Sequence, residues 1–184
     1  MAIGAVTRAC LGAVCGSSAR QWQQLRHREL ERQDWPALIA HSVAIKERIV
    51  QQDPTEQGLR KVLNFGHTLG HAVESFYLSQ PKKRLLHGEA IAVGMVAESY
   101  LSYRRDQLTL AELTQVEEFI FATFGRVAMA SSDFAAIVSL TRQDKKNRAG
   151  RVKAALLHSI GQAGYDVDLT PREMRAALAY YRGT

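Results

Sequence analysis

Apolar residues recur at three- and four-residue spacing along most of this chain, so the pattern predicts helices. From Gln21 to about Gln52 the period is helical: Trp22 and Leu25 begin it, and Leu38, Ile39, Val43, Ile45, Ile49 and Val50 continue it after Trp35-Pro36. Asp53-Pro54 ends that run, because proline disfavours helical geometry in the residue before it. Leu59, Val62, Leu63, Leu69, Val73 and Phe76 then form one apolar stripe, in which Gly66 and Gly70 leave room for a close neighbour. A polar connection, 79–84, leads to His87-Gly88-Glu89 and a helix from Ala90 to about Tyr103, rich in Ala and Gly and predicted to be buried on most faces. Thr109 and Glu112 make a capping box that opens a helix to Phe124, stopped by Gly125. Ser132 to about Gln143 reads as a further helix. Val152–Ile160 and Tyr165–Leu169 are short apolar segments with Gly161 and Gly164 between them, which predicts a hairpin. Thr170 and Glu173 form a second capping box with Pro171 at the first helical position, opening the last helix. The expected class is mostly α, a multi-helix domain with a short β-hairpin.

Composition narrows this only a little. The 184 residues suit one domain with a real core, and 46% hydrophobic with 23% charged is ordinary for a globular chain. No apolar run approaches the ~20 residues of a membrane helix, so no membrane partner is expected. The net charge is +6, but the basic residues are mixed with acids along helices, which favours an anionic small molecule over nucleic acid. The two cysteines, Cys10 and Cys15, form neither a redox nor a zinc-knuckle spacing, and a cytoplasmic setting is expected. Residues 1–20 stand apart: they are rich in small residues, without clear period, and the first acid of the chain is Glu29. An acid-poor start fits a targeting peptide, but Arg8 interrupts its apolar run, so an atypical or altered N-terminus, 1–20, ahead of a domain at 21–184 is the expectation.

The stretch Gly58–Met95 changes the picture. It carries His67, His71 and His87 together with Arg60, Asn64, Glu74 and Glu89, all set among residues that belong in a core. His67 and His71 are four apart, hence on one helix face about 5–6 Å apart at Cβ, where two imidazoles can share a metal or divide metal and proton work. His87 completes the group if the two helices pack antiparallel. Zinc accepts imidazole and carboxylate, so Glu74 and Glu89 are available as ligand, orienting partner or base. A single HxxxH is usually surface decoration; the two Gly-His pairs and the HGE beside it raise its meaning. Arg60 and Asn64 suit a carboxylate or phosphate, with a solvated helix face as the plainer reading. Lys145, Lys146, Arg148, Arg151 and Lys153 surround a glycine and read either as a solvated basic loop or as one that closes over an anion.

These residues lie in IKERIVQQDPTEQGLRKVLNFGHTLGHAVE, LLHGEAIAVGM and QDKKN. Together and in order they resemble the C-terminal catalytic domain of 3-dehydroquinate synthase, of the sugar-phosphate cyclase family, over about residues 21–184. The resemblance implies an all-helical domain and a phosphate-eliminating lyase of the shikimate pathway, in aromatic amino acid and chorismate biosynthesis. It implies conversion of 3-deoxy-arabino-heptulosonate 7-phosphate to 3-dehydroquinate plus phosphate, with Zn2+ or Co2+ and NAD as cofactors. His67 and His87 match the family's metal-ligand histidines. His71 matches the histidine beside the transferred phosphate, used in proton transfer. Lys46, Arg60 and Asn64 match substrate-contacting positions, Lys46 being placed with the catalytic residues, and Lys153 matches a basic residue near the substrate phosphate. An anionic sugar phosphate and a homodimeric partner are the expected associations.

The departures are equally specific. No glycine-rich NAD turn such as GxGxxG occurs; the resemblance implies a third metal ligand, a Glu, and a substrate-contacting lysine near or before the start of this chain, and residues 1–28 hold no Asp or Glu. The expectation is therefore a truncated copy of the catalytic domain that folds at least in part, binds zinc weakly and does not turn over alone. Another sugar-phosphate cyclase, a non-catalytic remnant or interaction module, and a metal hydrolase drawing its acid from Glu74 or Glu89 stay open as alternatives.

Overall fold

The computed structural model describes residues 35–80, 83–141 and 151–184. The helix predicted over 21–34, the atypical 1–20 segment with Cys10 and Cys15, the QDKKN loop and the end of the helix predicted to Gln143 lie outside the described residues. The elements are α1 (Trp35–Gln52), a 3-10 turn (Leu59–Asn64), α2 (His67–Leu78), α3 (His87–Arg104), α4 (Leu110–Phe124), a short 3-10 turn (Ser131–Asp133), α5 (Phe134–Thr141), β1 (Val152–Ser159), β2 (Gln162–Leu169) and α6 (Pro171–Gly183). The fold is mostly α with one antiparallel hairpin, β1 against β2.

The Ala- and Gly-rich α3 is the hub. Every residue from Ala90 to Ser99 is buried, as are Leu101 and Ser102. It packs against α2, α4, α6 and β1, while α5 covers α2 from another side. Small residues let α2 and α3 approach closely. A Cβ at Gly94 would collide with Gly66 O and would sit 2.6 Å from Gly70 N, and one at Gly70 would lie 2.9 Å from Ile91 Cα. The hairpin is tied to the hub by Ser102 Oγ, which accepts from Leu157 N–H at 2.9 Å. Arg105 then donates to Asp168 O at 2.8 Å and to Glu173 Oε1 at 2.6 Å, joining the end of β2 to the start of α6. A smaller cluster, Ile45, Ile49 and Val62, seats α1 on the first 3-10 turn.

Both capping boxes form as read from the sequence. Thr109 Oγ1 accepts from Glu112 N–H and Thr170 Oγ1 from Glu173 N–H, each at 3.2 Å. The stripe Leu59–Phe76 does not form one helix. It breaks at Phe65-Gly66, where Gly66 adopts φ +78°, leaving a 3-10 turn before the break and α2 after it. The cause is tertiary: the left-handed kink lets Gly66 lie against α3 beside Gly94.

Candidate metal centre

Three histidines converge where α2 and α3 begin. His67 opens α2, His71 follows one turn later, and His87 opens α3. Their ring centroids lie 5.1 Å (His67–His71), 5.9 Å (His67–His87) and 5.7 Å (His71–His87) apart. One ligand atom from each falls within 4.8 Å of the other two, close enough for a small ion to touch more than one. Among the described residues this is the group of His, Cys, Asp and Glu placed to hold a metal.

Hydrogen bonds fix two of the rings. His67 Nδ1 lies 3.1 Å from Phe65 O, and a carbonyl can only accept, so Nδ1 carries the proton and the lone pair is on Nε2. His87 Nδ1 lies 3.0 Å from Glu74 Oε2, which orients that ring in the same way. A carbonyl or carboxylate behind the ligating ring is the usual support of a metal-binding histidine. Glu74 is thus an orienting partner rather than a member of the cluster. Glu89 has a different job from the metal or base roles open to it in the sequence. Its Oε2 accepts from Leu86 N–H at 2.7 Å, so it caps α3. That local bond satisfies an amide freed at the helix start.

The other predicted residues have partners of their own. Arg60 lies in the 3-10 turn and donates from Nη1 to Pro54 O at 2.8 Å. Asn64 donates from Nδ2 to Glu56 Oε1 at 2.7 Å. Both lie in the 3-10 turn, which the kink at Gly66 separates from α2 and His67. Lys46 is exposed on α1. Lys153 is exposed on β1, its Nζ 3.9 Å from Asp166 Oδ1, and its backbone carbonyl accepts from Thr68 Oγ1 at 3.2 Å. That bond places β1 beside the first turn of α2.

Two acidic residues that the sequence reading did not count among the site residues hold backbone amides before and after Gly66. Asp53 accepts from Gln57, Gly58 and Arg60 N–H at 2.8–3.0 Å, which shapes the turn before Leu59. Desolvation pushes its carboxyl up, but those donors and the Arg60 charge outweigh it and hold the group below its ordinary range. Glu98 is fully buried in α3 and accepts from Gly66 N–H at 2.6 Å and Leu69 N–H at 2.9 Å. Burial pushes its carboxyl up to about 8, against the pull of the Leu69, Gly66 and Thr68 amides. A signal for Glu98 was present in the sequence: an acid inside a helix predicted to be buried needs a partner.

The profile of the family described as 3-dehydroquinate synthase C-terminal matches residues 11–147. The chain belongs to this family. Similar proteins include the 3-dehydroquinate synthases of Parabacteroides distasonis, 41% identical over 147 residues, and Nitrobacter winogradskyi, 34% identical over 173 residues. The alignments take in 79% and 86% of this chain but 41% and 44% of those relatives, so the chain spans about two fifths of their length. Among solved structures, ValA, a 2-epi-5-epi-valiolone synthase from Streptomyces hygroscopicus with NAD+ and Zn2+ bound, superposes with TM-score 0.81 at 24% identity, covering 97% of this chain and 50% of its own. A 2-deoxy-scyllo-inosose synthase complexed with carbaglucose-6-phosphate, NAD+ and Co2+ gives 0.74 at 15% identity, covering 97% and 51%. At these identities the two structures show that the fold is shared, and nothing finer.

Proposed function

We propose that this chain is the metal- and substrate-binding portion of a 3-dehydroquinate synthase, which forms 3-dehydroquinate and phosphate from an anionic sugar phosphate. One observation carries the reading: His67, His71 and His87 converge, and the two of them that the resemblance assigns to the metal, His67 and His87, each have Nδ1 hydrogen-bonded. The donor set fits Zn2+ or Co2+, since neutral imidazoles with the lone pair on Nε2 are good ligands for both. When bound, the ion supplies Lewis acidity toward a substrate oxygen. His67 and His87 would hold it, oriented by Phe65 O and Glu74. His71 stands one turn from His67 and accepts or returns a proton at an imidazole nitrogen beside the leaving phosphate. Lys153, Lys46, Arg60 and Asn64 supply cationic and amide donors for the carboxylate and phosphate of the substrate. NAD binding belongs, on this reading, to the part of the relatives that this chain does not span. The residues 21–184 form the working domain, and the chain by itself binds zinc weakly and does not turn over. A hydrolase using Glu89 is disfavoured because that carboxylate caps α3.

The test is zinc stoichiometry and affinity on the purified chain, with His67→Ala and His87→Ala beside it. One zinc per chain, lost in both variants, is the expected result. Zinc binding unaffected by either substitution would sink the assignment. Cyclase turnover by the chain alone would refute its dependence on a nucleotide-binding half.

A further inference from the structure

We propose that Glu98 is a positioning residue for the histidine centre: it locks the start of α2 against α3 so that His67 and His71 face His87. The inference rests on the reading of these histidines as a metal centre. It starts from a deficit. The residue that caps α2 is Gly66, which has no side chain to offer the amides freed at the helix start. Glu98 supplies the missing acceptor from another helix. Its Oε2 takes Gly66 N–H and its Oε1 takes Leu69 N–H, so both oxygens are used and the pair brackets His67. The same residue therefore fixes the backbone on both sides of the first histidine.

The second link runs through Phe65. The carbonyl that holds His67 Nδ1 belongs to the residue just before Gly66. A shift of Gly66 moves the His67 backbone and the acceptor of its ring together. The third link is register. Glu98 sits eleven residues after His87 on the same helix, about three turns along. Its two bonds tie α2 to a fixed height on α3, and His87 stands at a fixed height on that helix too. The close contacts of Gly66, Gly70 and Gly94 permit α2 to approach α3. They carry no directional bond, so they do not by themselves choose how far α2 slides. A directional hydrogen bond at 2.6 Å does.

A merely structural role predicts lower stability and an unaltered centre; a positioning role predicts an altered one. The experiment compares Glu98→Ala, Glu98→Gln and a control, Leu178→Ala, which removes a buried side chain from α6. Glu98→Gln keeps the side-chain length and one acceptor oxygen, and serves if the alanine variant does not fold. Zinc affinity and the visible absorption of the Co2+-loaded chain are measured for each. The expected result is at least a tenfold loss of zinc affinity and a changed cobalt spectrum in Glu98→Ala, a smaller loss in Glu98→Gln, and wild-type values in Leu178→Ala. Wild-type affinity and spectrum in Glu98→Ala, or an equal change in the control, overturn the proposal. A metal-free readout separates this from failure of the metal reading itself. Imidazole nitrogen NMR of the metal-free chain reports the His67 Nδ1–H bond to Phe65 O. Its loss in Glu98→Ala with the His87 signal kept supports positioning even if the wild-type chain holds no metal. Its retention in Glu98→Ala overturns positioning.

Discussion

At the scale of single residues, the centre depends on what stands behind each imidazole. His87 is exposed, its side chain at 56%, so packing alone does not orient it. The Glu74 carboxylate at 3.0 Å does. Glu74→Ala should therefore weaken zinc binding by roughly 10–100-fold, the usual cost of removing such a partner, with little change in folding stability. Equal zinc affinity in titrations of both proteins would show that the ring orients without it. Glu98 gives a second residue-scale prediction, on pH. Its carboxyl is pushed up to about 8 in the folded chain from an ordinary value of 4.5. A group whose folded pKa is raised contributes its stability fully below the unfolded value and loses it as pH rises through the folded one. The metal-free chain should thus lose stability between about pH 4.5 and 8, at about 1.4 kcal/mol per unit at most. Urea midpoints across that window should flatten in Glu98→Gln, and a wild-type slope there would exclude Glu98 as the source. The histidines were legible in the sequence because imidazoles at i and i+4 interrupt an apolar stripe. Glu98 was less legible because its partners Gly66 and Leu69 lie 32 and 29 residues away, and the sequence states no pairing at that distance.

At the scale of elements, the helices that start with their own caps are the ones the sequence predicts most closely. Thr109 and Thr170 each bond three residues ahead, a purely local arrangement, and α4 and α6 begin at the very next residues. Thr109→Ala should cost ~1 kcal/mol. Glu112 links this cap to the hairpin, because its Oε1 also accepts from Ile160 N–H at 3.0 Å. Denaturant unfolding measures the effect; no change would mean that Glu112 holds the helix start without its threonine. The hairpin was legible for a similar reason, since the turn needs a left-handed residue and Gly161 takes φ +95°. The break before α2 was not legible. Leu59 to Phe76 keeps helical period across Gly66, and only the approach of Gly94 shows why the chain must kink there. The 3-10 turn that carries Arg60 and Asn64 was hidden on the same account, as period cannot reveal a kink imposed by a neighbouring helix.

At the scale of the molecule, the arrangement makes the centre and the far end of the fold one cooperative body. The hub α3 begins with His87 and holds α2 through Glu98. Further along, it receives β1 at Ser102 and stacks Tyr100 on Tyr180 of α6 with centroids 4.0 Å apart. No segment of the described core can open at the centre without disturbing the surface of α3 that the hairpin and α6 cover. A ligand that binds only the folded chain stabilises it by RT ln(1 + [L]/Kd), about 2.7 kcal/mol at a hundredfold excess over Kd. If the described core is one unit, that gain must appear at Tyr180 and Tyr181 as fully as at the histidines, although neither tyrosine belongs to the cluster. Thermal melts with zinc at such an excess should shift the ring NMR signals of Tyr180 and Tyr181 and the far-ultraviolet helix signal to the same higher midpoint. A helix signal that shifts while the tyrosine signal stays in place would divide the molecule into a metal-responsive α2–α3 pair and an independent hairpin with α6. The burial of α3 on all its faces argues against that division, since either part alone would leave a run of apolar surface from Ala90 to Leu101 open to water.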